Sequence, residues 1–320
     1  MSVLLCAVDP LGSRLALVLK HGASSYQEAG EVVCGNGPVS VVEGGEGRVF
    51  VSFSVSDSVG VVDLARRRLL DSIKVGWAPS SLVVVRGAGV LLVCNAGADS
   101  VSVVDIGAGM ERGRVAVGRE PRQVVMARDG RAAYVCEQGA GSVCALDLTG
   151  LQAGRWDAVS VAWRTALGAH AQPRVLLPTR LGPGLVLCRT ADRLPVVDLD
   201  SGRVMTEVVL PGPGGPSGAV EVDGDFALVT LERLGLIAVV DLLEWSVTRT
   251  IPVGPCPSGI VVDPDDQTVY CPLPLSGGLA VIHLDGVDLS TEDGLPQFES
   301  VRAGRAPSSV AVVRCLEPGP

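Results

Sequence analysis

Residues 79–105 read PSSLVVVRGAGVLLVCNAGADSVSVVD. Three short apolar runs stand out in this stretch, at Leu82 to Val85, Val90 to Cys94 and Val101 to Asp105, and a fourth follows at Val115 to Val117. The runs are rich in Val and are separated by Gly, Ala, Asn and Asp, which is typical of β-strands joined by tight turns. The segment therefore predicts a unit of four short strands.

The same unit recurs along the whole chain. Each copy is marked by Gly-x-x-Pro, or a near variant, followed by a run of β-branched residues. The seven copies are Gly35 to Pro38, Gly76 to Pro79, Gly118 to Pro121, His170 to Pro173, Gly212 to Pro216, Gly254 to Pro257 and Gly304 to Pro307. Successive prolines are 41, 42, 52, 43, 41 and 50 residues apart. A period of about 40 to 45 residues with four strands is typical of a β-propeller and not of a helical solenoid.

The ends of the chain predict the number of blades and the closure of the ring. Leu5 to Pro10 matches Ile260 to Pro264, so the N-terminus is expected to open on the first strand of a blade. Six full units follow, and Ser309 to Val313 then repeats a first strand. We therefore predict one all-β domain over residues 1–320, a seven-bladed β-propeller with four-stranded antiparallel blades. Pairing of the N- and C-terminal strands closes the ring, because an open ring would leave unpaired strand edges.

The repeat resembles that of the YVTN-repeat (YncE-like) β-propellers. Their pattern is roughly Tyr-Val-Thr-Asn, then Ser-x-Val-x-Val-Ile-Asp, then Ile-x-Val-Gly-x-x-Pro. Its degenerate counterparts here are Leu92 to Asn95, Tyr134 to Glu137 and Val269 to Pro272, then Ser100 to Asp105, then Ile251 to Pro257. The resemblance covers nearly the whole chain and implies the propeller fold. It implies no reaction, because these motif residues build blades.

Charge and composition argue against several classes of function. The net charge is −9, the sequence pI is about 4.9, and no run of Lys or Arg occurs, so no nucleic-acid partner is expected. No apolar stretch approaches the roughly 18 residues of a transmembrane helix, so no membrane partner is expected. Met1 to Val18 lacks a basic start and contains Asp9, Pro10 and Arg14, which argues against a signal peptide.

The cysteines point to a reducing compartment. There are nine of them, with no Cys-x-x-Cys, and Cys94, Cys136, Cys188 and Cys271 share one position of the repeat. Equivalent positions ring the propeller axis, too far apart for the Cα separation of about 7 Å that a disulfide allows. We expect reduced, buried thiols, which together with the absence of an export signal predict a cytoplasmic protein.

The loops that join second to third strands, and those that join one blade to the next, lie on one face of a propeller around its central opening. Residues of these loops can converge although they are distant in sequence. The expected second-strand exits supply Lys20, His21, Asn95, Glu137 and Arg189, and the inter-blade loops supply Trp77, Arg119, His170 and Arg305. This mixture predicts a pocket that binds a small polar or anionic metabolite and moves protons.

Three of these residues are assigned to proton transfer. His170 lies in the longer insertion Trp156 to Gln172, which is expected to overhang the central opening, and is the preferred general acid and base. Glu137 replaces the Asn of the repeat, although a plain surface carboxylate would fit there equally well. Lys20 would act as a base or Schiff-base former if its pKa were lowered, and is otherwise a solvated lysine.

The remaining candidates are assigned to substrate binding. Arg189 and Arg119 could clamp a carboxylate or phosphate, the alternative for Arg189 being a salt bridge between neighbouring loops. Asn95, Trp77, His21 and Arg305 complete the set. No cofactor is predicted, because the sequence has no Walker loop, dinucleotide fingerprint or metal-ligand motif. A divalent metal held by ligands from several blades stays open.

Two functions fit these observations. The first is an enzyme of lyase, cyclase or lactonase type that performs acid–base chemistry in the pocket on the loop face. The alternative is a non-catalytic propeller that binds a ligand or a protein. The sequence leaves the substrate and the oligomeric state open.

Overall fold

The computed structural model describes residues 2–22, 25–151, 154–168, 170–263, 265–291 and 296–315. The described strands form seven four-stranded antiparallel sheets, one for each predicted blade. The prediction of a seven-bladed, all-β propeller is confirmed. The 3₁₀ turns Gln138–Ala140 and Trp156–Ala158 lie between strands of blade 4.

The blades are numbered along the chain, and each is given from its first strand to its fourth. Blade 1 consists of β28 (Ser309–Cys315), β1 (Ser2–Asp9), β2 (Arg14–His21) and β3 (Ser25–Val33). Blade 2 consists of β4 (Pro38–Gly45), β5 (Arg48–Phe53), β6 (Ser58–Asp63) and β7 (Arg68–Lys74). Blade 3 consists of β8 (Pro79–Val85), β9 (Val90–Asn95), β10 (Ser100–Asp105) and β11 (Met110–Ala116). Blade 4 consists of β12 (Pro121–Met126), β13 (Ala132–Glu137), β14 (Ser142–Asp147) and β15 (Ser160–Ala166).

The last three blades follow the same order. Blade 5 consists of β16 (Pro173–Pro178), β17 (Gly184–Cys188), β18 (Arg193–Val197) and β19 (Val204–Val209). Blade 6 consists of β20 (Pro216–Val222), β21 (Phe226–Leu231), β22 (Leu236–Asp241) and β23 (Ser246–Pro252). Blade 7 consists of β24 (Val261–Asp263), β25 (Thr268–Leu273), β26 (Gly278–His283) and β27 (Gln297–Arg302).

The first strands lie at the centre of the molecule. They contact one another in a closed circuit from β4 through β8, β12, β16, β20, β24 and β28 back to β4. The second and third strands are almost wholly buried because both of their faces pack against neighbouring blades. Their Val, Leu and Ala side chains form the core, whereas fourth strands such as β11 and β15 alternate between exposed and half-buried residues.

The ring closes within blade 1, where β28 pairs with β1 in antiparallel register from Ser2 opposite Cys315 to Val8 opposite Ser309. The predicted pairing of the terminal strands is therefore confirmed. The expectation that the chain opens on a first strand is wrong, since β28 is the first strand of this blade and β1 is the second. The repeat agrees with this order, because the loop Gly304 to Pro307 directly precedes β28, as the corresponding loops precede the first strands of the other blades.

The strand directions define two faces. The Gly-x-x-Pro loops and the loops from second to third strands lie on one face, which we call the loop face. The first-to-second and third-to-fourth turns lie on the other, which we call the turn face. Within the described part of the chain, no helix is long and apolar enough to cross a membrane.

Candidate functional site

A cavity of about 440 Å³ opens at the centre of the loop face. The beginnings of the first strands surround it, so all seven blades contribute to its wall. Four charged side chains meet there: Arg122 from β12, Arg174 from β16, and Arg189 and Glu232 from the loops that follow β17 and β21. We call this space the central cavity.

The residue after each repeat proline enters the central cavity. In chain order these residues are Val39, Ser80, Arg122, Arg174, Ser217, Ser258 and Ser308. The serines join neighbouring blades: Ser80 Oγ donates to the Pro121 carbonyl oxygen at 2.9 Å, and Ser217 Oγ to that of Pro257 at 2.8 Å. Blades 4 and 5 place a guanidinium at this position instead, which concentrates positive charge on one side of the cavity.

The electrostatics of the cavity favour an anion. Arg174 Nη1 lies 3.5 Å from Glu232 Oε2. Burial lowers the pKa of Arg174, Glu232 raises it, and the nearby charges of Arg189 and Arg122 lower it further, with a net decrease. The Arg189 side chain has no ion-pair partner among the described residues, whereas Arg122 pairs with Glu120 at the rim. Arg122 and Arg189 thus lie close enough to Arg174 for their charges to act on it, and an anionic ligand would relieve this repulsion.

Glu232 is the carboxylate that lines this cavity. Its side chain is about 30% exposed, so solvent or a ligand can reach it. The Cys256 thiol donates to Glu232 Oε1 at 3.5 Å. Burial and the Glu232 carboxylate both raise the pKa of Cys256, so this thiol stays protonated and is a poor nucleophile.

The glycine of the Gly-x-x-Pro loop lies directly over the last residue of the second strand. A Cβ at Gly118 would lie 2.5 Å from Glu137 Oε2, one at Gly76 would lie 2.5 Å from Asn95 Cγ, and one at Gly35 would lie 2.8 Å from the Phe53 ring. The side chains that end the second strands are therefore covered by their own loops. This places Glu137 and Asn95 inside their blades and outside the central cavity.

Glu137 is fully buried and is held in place on every side. Arg164 binds both carboxylate oxygens, with Nε 2.9 Å from Oε2 and Nη2 3.0 Å from Oε1. The Gly118 amide donates at 2.7 Å and the Ser142 hydroxyl at 2.5 Å. Burial raises the pKa of Glu137, but these hydrogen bonds outweigh it and hold the pKa below its ordinary value. The contacts are those of a structural ion pair.

Asn95 is also fully buried. Its amide nitrogen donates to Ser102 Oγ at 2.8 Å and to Ser100 Oγ at 3.3 Å. Within the described structure its carbonyl oxygen has no hydrogen-bond partner. Asn95 thus links the second and third strands of blade 3.

Lys20 and His21 lie on the turn face, because β2 is a third strand and not a second strand as predicted. Lys20 Nζ is 3.1 Å from Asp263 Oδ2 and 2.5 Å from Asp266 Oδ2. Burial lowers the pKa of Lys20, but the hydrogen bonds to these carboxylates outweigh it and raise the pKa. The lowered pKa that a lysine base would need is absent. His21 is exposed and contacts Gln27.

The four candidates from the inter-blade loops do lie on the loop face. Trp77, Arg119, His170 and Arg305 are exposed there, and none of them lines the central cavity. Arg189 is therefore the one residue of the predicted set that the structure places in the cavity wall. Arg122 and Arg174 were missed, although the residue after each repeat proline is a signal that identifies them. The sequence pattern places Glu232 at a second-strand exit on the loop face, but it was assigned no role.

Cys94, Cys136, Cys188 and Cys271, which share one position of the repeat, are free and buried, as predicted. No three His, Cys, Asp or Glu side chains in the described ranges are grouped so that they could hold a metal ion.

The architecture is shared with solved structures of distant sequence. No protein-family model and no curated protein matches the chain. A protein from Lactobacillus plantarum superimposes with a TM-score of 0.82 at 13% identity, covering 98% of this chain and 99% of that one. The periplasmic gluconolactonase PpgL of Pseudomonas aeruginosa gives 0.77 at 15% identity, covering 98% and 99%. Kuenenia stuttgartiensis hydrazine synthase gives 0.73 at 18% identity, covering 88% and 95%.

The similarity is one of fold. The neighbours include a lactonase and a hydrazine synthase, so different reactions use the same ring of blades. The fold alone therefore does not determine the function of this chain.

Proposed function

We propose that this chain is a small-molecule enzyme that binds an anionic metabolite in the central cavity and opens a cyclic ester in it, a reaction of lactonase type. One observation carries the proposal: Arg122, Arg174, Arg189 and Glu232 converge in a cavity of about 440 Å³. A volume of this order suits a small metabolite, and clustered guanidinium groups suit a carboxylate or phosphate on it. The gluconolactonase among the fold neighbours agrees with this choice of reaction.

The proposed chemistry needs a base and a stabiliser of negative charge. Glu232 accepts a proton from a water molecule, whose oxygen forms a bond to the ring carbonyl carbon. Arg174, 3.5 Å from Glu232, orients the carboxylate and stabilises the negative charge that develops on the carbonyl oxygen. The ring C–O bond then breaks, and the proton passes from Glu232 to the alkoxide that leaves. Arg122 and Arg189 hold the acidic group of the substrate.

The test is hydrolysis of a panel of lactones that carry a phosphate or carboxylate, beside the neutral parent lactones. Glu232→Gln is expected to lower kcat at least about 100-fold with little change in KM, because it removes the base. Arg189→Gln is expected to raise KM for anionic lactones about tenfold, because it removes a charge-assisted contact. Arg86→Gln on the turn face and Glu207→Gln on an outer strand are matched controls and should leave both constants unchanged.

The results separate the two hypotheses. Unchanged turnover in Glu232→Gln would show that Glu232 is not the catalytic base. Anion binding without turnover of any lactone, lost in Arg189→Gln, would support the non-catalytic ligand-binding propeller instead. A lyase or cyclase would use the same base, so a second panel, of substrates for elimination reactions, should be tested beside the lactones.

His170, predicted as the general acid and base, is proposed as the alternative proton donor to the leaving oxygen, in place of Glu232. It is exposed on the loop face in the loop that leads to β16, the strand that carries Arg174. His170→Ala should lower kcat if this role holds, and an unchanged pH–rate profile would reject it. The proton-transfer roles predicted for Glu137 and Lys20 stay predictions, although neither side chain lines the central cavity.

We also propose that the chain is a degenerate YVTN-repeat propeller and that it works in the cytoplasm. The Ser100 to Asp105 and Ile251 to Pro257 segments support the first point. Free buried thiols agree with a reducing compartment. Cell fractionation tests the location, and recovery outside the cytoplasm would reject it.

A further inference from the structure

A second cavity, of about 700 Å³, lies between blades 4 and 5 at the turn face, away from the central cavity. Its walls are the first-to-second-strand loops at residues 127–131 and 179–183 and the turn at residues 198–200. Tyr134 of β13 and Trp163 of β15 lie inside it. We call it the blade 4–5 groove.

The aromatic residues of the groove are held in fixed positions. The Tyr134 and Trp163 ring centroids are 6.0 Å apart with an angle of 34° between the rings. A Cβ at Gly202 would lie 2.7 Å from Trp163 Cε3, so that glycine allows the turn of blade 5 to cover one side of the indole. Leu199 and Met205 add apolar surface, and the Met205 side chain is 57% exposed. This part of the groove is a preformed apolar surface.

The Tyr134 hydroxyl is the unusual feature of the groove. Tyr134 is only 6% exposed and lines the groove, and none of the described residues forms a hydrogen bond with its hydroxyl. Burial raises the pKa of Tyr134, and the negative charges of Asp129, Asp200 and Asp198 raise it further. The hydroxyl of this largely buried residue is therefore free to form a hydrogen bond with a ligand in the groove.

The carboxylates of the groove differ in the number of hydrogen bonds that they already accept. Asp198 accepts from the Ser201 amide and hydroxyl, both at 2.7 Å, and Asp129 accepts from the Arg131 amide at 2.9 Å. Asp200 is exposed, and its side chain has no hydrogen-bond partner in the described structure.

Carboxylates outnumber arginines at the groove. The lining arginines Arg128 and Arg180 both pair with the buried Glu221, at 2.6 and 3.5 Å. With Arg131, three positive charges stand against five negative ones, those of Glu221 and of the four lining carboxylates Asp129, Asp147, Asp198 and Asp200. The field at the Tyr134 hydroxyl is therefore negative, which favours a cationic ligand.

We propose that the blade 4–5 groove binds an organic ammonium compound, with the ammonium at Asp200 and the Tyr134 hydroxyl and its apolar body against Tyr134 and Trp163. The ammonium donates to the Asp200 carboxylate and to the Tyr134 oxygen, and it gains attraction from the electron-rich faces of the rings. The site is independent of the chemistry proposed for the central cavity.

Phenethylamine is the probe, because it joins one ammonium to one aromatic ring. Ligand-observed NMR titration of the full chain should show binding, and the neutral isostere 2-phenylethanol should bind at least about tenfold more weakly. Asp200→Asn should weaken amine binding about tenfold, and Tyr134→Phe about threefold, because it removes a single hydrogen bond. Asp71→Asn on β7 and Tyr26→Phe at blade 1 are matched controls and should bind as the native chain does.

Each alternative result overturns the proposal. The first is that the native chain shows no amine binding at millimolar concentration. The second is that alcohol and amine bind equally. The third is that amine binding is unchanged in both groove variants. Thermal melting of each variant shows whether it is folded, so loss of binding cannot be confused with loss of structure.

Discussion

At the scale of single residues, Glu137 shows how a buried carboxylate can stabilise a blade. It is fully buried, and Arg164, Ser142 and the Gly118 amide all donate to it. Glu137→Gln should lower the free energy of unfolding by about 2 to 4 kcal/mol, because it leaves the partners of a buried charge incompletely paired. Chemical denaturation measures this value. Glu207→Gln, whose partner Arg193 is 3.7 Å away on the surface, should change it by less than about 1 kcal/mol.

The stabilisation that Glu137 contributes depends on pH. Because the pKa of Glu137 is lowered in the folded state, its stabilisation is complete above the unfolded pKa of about 4.3. It is lost as the pH falls through the folded pKa. The gap in stability between the native chain and Glu137→Gln should therefore stay constant from pH 7 to about 5 and narrow below that. A gap that widens in acid would contradict the assignment.

At the scale of elements, the glycine of the Gly-x-x-Pro loop lets the loop close over the end of the second strand. A Cβ at Gly35 would meet the Phe53 ring at 2.8 Å, and Phe53 is only 1% exposed, so the ring has no free space into which to move. Gly35→Ala should therefore destabilise the fold by about 1 to 3 kcal/mol. Gly107→Ala is the control, since its nearest neighbour is Asp105 Oδ1 at 3.5 Å. Equal melting temperatures for the two variants would contradict this account.

The strands could be predicted from the sequence more fully than the candidate functional site. Val-rich runs between turn residues identified the strands, because alternation and tight turns are local signals. β1 was predicted to be a first strand because its apolar run resembles one. Its position as a second strand follows only from its pairing with β28, at the other end of the chain. Arg189, at a second-strand exit, lines the central cavity. Glu137, at the second-strand exit of blade 4, does not, because Arg164 binds it from an outer strand, a contact that the sequence does not show.

At the scale of the whole molecule, the ring is joined where blade 7 meets blade 1, and Lys20 crosses that seam. Lys20 is 6% exposed and binds Asp263, at the end of β24, and Asp266, in the turn after it. The Tyr26 and Tyr270 hydroxyls lie 3.3 Å apart across the same seam. These contacts join residues more than 240 positions apart in sequence, so they stabilise closure of the ring and not a single blade.

Lys20→Met should therefore weaken the closed ring. It leaves Asp263, which is 1% exposed, without its cation, and we expect a loss of about 3 to 5 kcal/mol in the free energy of unfolding. Lys74→Met is the matched control, because Lys74 is the other lysine of the chain, is exposed and, among the described residues, binds only the Ser56 carbonyl oxygen. Hydrogen exchange in the Lys20 variant should rise first in β1 to β3 and β24 to β27. Because the pKa of Lys20 is raised in the folded state, its stabilisation is present below about pH 10.4 and is lost as the pH rises through the folded pKa. Equal losses in the two lysine variants, or exchange that rises evenly over all blades, would show that the seam is held by strand pairing alone.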